Sequence, residues 1–247
     1  MMVIDSEETR MSQLSIRLGF WSAFSIAVSF VVFTVCFVTI PLTSPLFIWT
    51  NMPDYLAYVG RYNQFFQNLA RFAMLLFGPL FVLLLSSVYE LADGERRLLA
   101  RISLSFGVIF AALTSLNYSV QLSSVRLSIS RGETQGLEQI VQANPLSAMS
   151  AINVLGWSLF FGLSSLFVAP LFSGGRLGKT IRIAFLLNGI FCILGGVGYL
   201  LDNAVLVFLT LNFGMGGAVL VAAISLCLFF RRMGSSPFSG RLTPSMR

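Results

Sequence analysis

The sequence predicts an all-α polytopic membrane protein: a bundle of six transmembrane helices, N-in and C-in, with a short external amphipathic helix between spans 3 and 4. Three observations carry this. Hydrophobic residues make up 56% of the 247 and charged residues only 11%, against about 25% charged in a soluble domain. Apolar runs of the length a bilayer core demands recur six times. The positive charges are unevenly shared between the segments that join those runs. A β-barrel would instead alternate apolar and polar residues over short segments, a pattern this chain lacks.

The spans read in order as Leu18–Ile40, Leu69–Tyr89, Ile102–Gln121, Met149–Leu171, Ile183–Leu201 and Val205–Phe230. The first is too long for a signal-peptide core and lacks a small-residue cleavage site, so it reads as a retained span, with Pro41 and Pro45 punctuating its end. Residues 1–17 form a cytoplasmic N-terminal segment, 18–232 the transmembrane domain and 233–247 a disordered cytoplasmic tail. With the N-terminus inside, twelve of the sixteen Lys and Arg fall on the cytoplasmic side, leaving Arg61, Arg71, Arg126 and Arg131 outside. Six of the ten acids also lie inside, so that side carries the whole net charge of +6. This bias suits anionic inner-leaflet lipid as a partner and not nucleic acid, which requires a basic patch on a folded domain.

Polar residues gather in the outer half. Thr114, Asn117, Gln121 and Ser124 follow at spacings of three, four and three, one helical face near the outer end of span 3. Lipid does not satisfy such groups, so this face must look at protein or a wet cavity. The helix is expected to run past the membrane to Arg131-Gly132, and "ETQGLEQIVQ" to form the external amphipathic helix, with Leu137, Ile140 and Val141 on one side. Asn144-Pro145 then starts span 4, with Asn153 about two turns in. At the start of span 2, "RYNQFFQNLAR" places Gln64, Asn68 and Arg71 on one face. Asp202 sits at the turn between spans 5 and 6, with Asn212 about two turns further on.

Asn68, Arg71, Asn117, Gln121, Asn153, Asp202 and Asn212 are therefore the candidate ligand-binding residues, and Arg71–Asp202 a candidate ion pair, since ionisable groups at membrane depth are usually partnered. Two readings stand side by side. The residues line an outward-facing pocket, or the amides simply join helices at about 0.6 kcal/mol per contact. In the inner half, Asn188 suits helix–helix hydrogen bonding and Gly78-Pro79 a kink. Gly214, Ala218 and Ala222, with Cys192 and Gly196, form small-xxx-small steps that let helices 5 and 6 approach, within one subunit or across a dimer.

Catalytic patterns fail one by one. Histidine is absent, which removes the commonest general base and metal ligand. Cys36, Cys192 and Cys227 stand alone in apolar runs. Only Asp202 approaches membrane depth, so there is no acidic dyad. "GGRLGKT" at 174–180 is one residue short of a phosphate loop and follows no strand, so it reads as a basic turn. No enzyme activity, cofactor or metal is expected. Few acids within the spans disfavour ion-driven transport.

The stretch "NYSVQLSSVRLSISRGETQGLEQIVQANP" (117–145), then "LGWSLFFGLSSLFVAPLF" and a basic turn, resembles a loosely defined group of bacterial six-span membrane proteins. The similarity covers residues 60–232 and rests on Gln121, Gly132-Glu133-Thr134, Asn144-Pro145 and Phe230-Arg231-Arg232. It implies a prokaryotic cytoplasmic membrane and no particular activity. The function expected is a non-catalytic scaffold or accessory subunit, packing with other membrane chains or with itself. The alternative is a sensor or transporter that binds a lipid or amphiphile in the outer pocket.

Overall fold

The computed structural model describes the backbone of residues 2–235 and the side chains of 13–235. The terminal charges Asp5, Glu7, Glu8, Arg10, Arg241 and Arg247, and most of the tail expected to be disordered, lie outside these described side chains. Seven helices account for the described chain: α1 (Met2–Thr43), α2 (Met52–Arg61), α3 (Phe65–Glu90), α4 (Gly94–Arg131), α5 (Ala148–Leu171), α6 (Gly175–Leu200) and α7 (Ala204–Ser235). All but α2 contain a stretch long and apolar enough to cross a membrane, and no strand occurs among the described residues. This is the architecture of an integral membrane protein.

The six long helices form a ring. Each packs against its neighbour in sequence, and α7 returns to α1. The short connections 91–93, 172–174 and 201–203 leave room only for antiparallel neighbours. One end of the bundle, here called proximal, holds the start of α1 and the end of α7, where Gly19 lies against the Phe230 ring. Arg96 donates to Ser173 at 3.2 Å between two connections at the same end. The other, distal end holds the three connections 44–64, 132–147 and 201–203. Tyr199 donates to the Pro145 carbonyl there at 2.7 Å.

Small residues set the helix seams. A Cβ on Gly78 would stand 3.0 Å from the Ala111 Cα, so glycine at this position lets α3 and α4 touch backbone to backbone. Pro79 beside it lies inside the continuous helix α3. Gly214 of α7 receives the Phe191 ring of α6, and Ala218 and Ala222 are buried, so this stripe packs within the subunit. The Cys192–Gly196 step faces elsewhere than expected. Gly196 lies against Ser158 and Cys192 against Gly162, both in α5, because α6 is wedged between α5 and α7 and needs a small face on each side. Gly195 and Gly198 form its other face, towards Leu211 and Leu206.

The external amphipathic helix is also in a different place. Residues 132–147 form turns with a single 3-10 turn at Leu137–Gln139, because Gly132 and Gly136 both adopt left-handed backbone (φ +75° and +78°). The amphipathic helix is α2, between the first and second spans. Asn51 caps it by accepting from the Asp54 amide at 2.9 Å, and Pro53 and Asp54 occupy its first turn. Its Met52 and Tyr55 pack with Val125, Leu137 and Val141 into a second, smaller hydrophobic cluster that caps the distal end. Helix α1 meanwhile continues through Pro41 to Thr43.

Candidate functional site: a distal amphipathic cleft

The distal polar face of α4 is real but shorter than its spacing suggests. Thr114, Asn117 and Gln121 are fully buried, whereas Ser124 is exposed and Val125 takes its place in the core. Val125, four residues after Gln121, keeps to the buried face, and a π-helical turn at Gln121–Val125 lies between them. It inserts one residue into the helical phase, rotating everything after it by about 100°. Two more π-turns lie in the distal halves of other spans, Gly156–Phe160 in α5 and Leu209–Met215 in α7.

Gln121 is a latch. Its Nε2 donates to the Ile140 carbonyl at 2.6 Å, and its Oε1 accepts from the Gln142 amide at 3.1 Å. The connection it grips is stiffened further by Asn144 Nδ2 donating to the Glu138 carbonyl (2.9 Å) and Ser147 Oγ to the Val141 carbonyl (2.9 Å). Gln121 thus positions residues 140–142.

Gln142 and the adjoining Ala143 roof a cleft of about 280 Å³. Phe33, Phe37 and Ile40 of α1 and Met74 of α3 give it an apolar wall, while Gln67, Arg71, Tyr118 and Gln142 supply polar groups. Arg71 is half-buried and donates from Nη1 to Asn68 Oδ1 at 3.1 Å, one turn earlier on α3. The Tyr118 hydroxyl accepts from Trp157 Nε1 at 3.2 Å. Asn153 and Gln142 flank that hydroxyl, and the Arg71 charge acts on it. Trp157 belongs to the π-turn of α5 and Gln121 opens that of α4, so two of the three π-turns frame this corner.

The predicted site residues therefore divide. Arg71 lines the cleft, Asn68 holds it, Asn153 stands behind Tyr118, and Gln121 pins the roof. Asn117 is buried with neither side-chain polar atom partnered, and it does not line the cleft. Asp202 and Asn212 are elsewhere. Asp202 is exposed in a left-handed turn (φ +51°), so no Arg71–Asp202 pair forms among the described residues. Asn212 donates to the Phe208 carbonyl at 3.1 Å, satisfying backbone that the α7 π-turn disturbs. Tyr118, Gln142 and the α1 wall escape sequence reasoning as site residues, whereas Gln67 belongs to the polar start of span 2. Gln67 lies one turn before Arg71, a legible signal, but Phe33 and Phe37 look like any lipid-facing pair.

Below the cleft the axis is closed. Phe77, Phe81, Phe110, Trp157 and Phe161 stack and abut with ring centroids 4.6–6.3 Å apart. Beneath them a void of about 10 Å³ borders Asn188, room for about one water. Among the described residues no three His, Cys, Asp or Glu side chains gather as a metal site.

Fold and site together define a polytopic helical membrane protein with one amphipathic cleft at the distal end of its ring. No protein family, curated protein or solved structure matches the chain.

Proposed function

We propose that the protein binds an amphiphile in the distal cleft, as a non-catalytic binding or sensing component of its membrane. One observation carries the reading: the cleft sets an apolar wall of α1 against a polar side built by α3, α4 and the roof. An amphiphile is the ligand class that satisfies both at once. The rings that fill the axis favour binding over passage across the bundle. The scaffold reading has only the broad apolar faces behind it, and lipid demands those of every span.

The basic residues of the proximal end, among them Arg96, Arg97, Arg101, Arg176, Lys179, Arg182, Arg231 and Arg232, support a cytoplasmic placement of that end. The cleft then opens towards the outer leaflet, and the sequence resemblance implies a prokaryotic cytoplasmic membrane. Native mass spectrometry of gently extracted protein tests the reading. Wild type should retain an adduct of lipid-like mass that Ala143→Trp and Ile40→Trp, each filling the cleft from a different side, both displace. An adduct that survives both substitutions, or a bare wild-type protein, contradicts it.

A further inference from the structure

We infer that the ligand is an amphiphile with an anionic headgroup, phosphate or carboxylate, held by Arg71. This rests on the amphiphile reading above. Charge makes the first selection. Arg71 is the only ionisable cation or carboxylate among the residues lining the cleft, so a cationic headgroup would meet repulsion and an anion would meet a partner. A guanidinium held partly out of water without a carboxylate gains most from an anion that brings charge-assisted hydrogen bonds.

Hydrogen-bond capacity makes the second. Arg71 uses Nη1 on Asn68, which fixes the fork and leaves its other nitrogens free to bind. Asn68 is thus a positioning residue. The Tyr118 hydroxyl accepts from Trp157 and stands among the Asn153 and Gln142 amides beside Arg71, adding a polar group to that side of the cleft. Gln67 and Gln142 add amide groups at the same side of the cleft. A phosphate or carboxylate offers several acceptor lone pairs to this set, whereas an alcohol headgroup offers few.

Shape makes the third. Phe33, Phe37 and Ile40 of α1 line the apolar side of the 280 Å³ cleft, and the hydrocarbon chain of the amphiphile follows that wall out of it.

The test is calorimetric titration of the full-length protein in a neutral maltoside micelle with dodecyl phosphate, monododecanoyl glycerol and inorganic phosphate. Wild type should bind dodecyl phosphate about tenfold or more tighter than the neutral lipid, the scale of a charge-assisted bond, and inorganic phosphate only weakly. Arg71→Gln should abolish the difference, Arg71→Lys should keep part of it, and Asn68→Leu should shrink it by about threefold. Equal binding of both lipids, blocked for both by Ala143→Trp, overturns the anionic headgroup and leaves the cleft reading standing. Binding of both lipids untouched by Ala143→Trp and by Ile40→Trp, each with an unchanged melting temperature, overturns the cleft reading itself. Inorganic phosphate binding as tightly as dodecyl phosphate overturns the chain and makes the cleft a site for a free anion.

Discussion

The middle of the bundle and its distal end bury similar polar side chains and use them in opposite ways. In the middle, Ser103 Oγ donates to the Ser164 carbonyl at 2.7 Å and Ser164 Oγ returns the bond to the Ser103 carbonyl at 2.8 Å. Asn188 Nδ2 donates to Ser165 Oγ at 2.7 Å, while its Oδ1 has no protein partner. Helix meets helix there, and the neighbouring void holds about one water. At the distal end, Gln67 Oε1 lacks a protein partner in the lining of a cleft of 280 Å³ that also holds a half-buried arginine, and so do Asn153 Oδ1 and both polar atoms of Asn117 outside that lining. Paired polar groups join helices, and unpaired ones, costly in a membrane protein, stand where something else completes them: room for about one water beside Asn188, a wider cleft at the distal end. The same residue types thus separate into joint and site by their partners, which composition does not record.

Substitutions in the middle should therefore move stability alone, and distal ones should move ligand retention as well. The largest effect is expected from Gly78→Val, because the nearest obstacle is Ala111 backbone. Detergent-titrated unfolding should show a loss of about 3 kcal/mol, the upper part of the range for overpacking. Gln121→Leu comes next. It strands the Ile140 carbonyl and Gln142 amide, for a loss of about 2 kcal/mol. Unlike Gly78→Val it should also release the lipid adduct in native mass spectrometry, because the roof loses its latch. Ser164→Ala should cost about 0.6 kcal/mol and leave the adduct intact. Loss of the adduct in that variant would erase the distinction between the two regions. The smallest effect tests which face α4 buries after Gln121. Ser124→Leu should change stability by less than about 0.5 kcal/mol, while Val125→Asn at the next position destabilises clearly. The reverse order would put Ser124, not Val125, on the buried face.

The spans were legible because a bilayer imposes length and composition, and those are what a sequence displays. The extension of α4 to Gly132 was legible for a related reason, since nothing interrupts it earlier and Gly132 then takes the left-handed cap. What escaped depends on geometry. A π-turn leaves no composition signal, and the three-residue step from Gln121 to Ser124 reads as well as the four-residue step to the buried Val125. Leu137 and Val141 do bury on one side, as an amphipathic helix would have them, yet Gly136 in a left-handed conformation makes that segment a turn. The true helix α2 did carry a readable start, Asn51 followed by Pro53 and Asp54. Of the candidate site, Arg71 and Asn68 were readable as neighbours on one helical face. Their separation from Asp202 and Asn212 was not, because a charge and a polar side chain at similar depth say nothing of which seam each faces.

The central claim is that the distal cleft holds an amphiphile, and an experimental density map of the protein in lipid nanodiscs, without added ligand, tests it most directly. The map should show one elongated feature along Phe33 and Phe37 whose head contacts Arg71 beneath the Gln142–Ala143 roof. An empty cleft with Arg71 turned out to the membrane surface would contradict it.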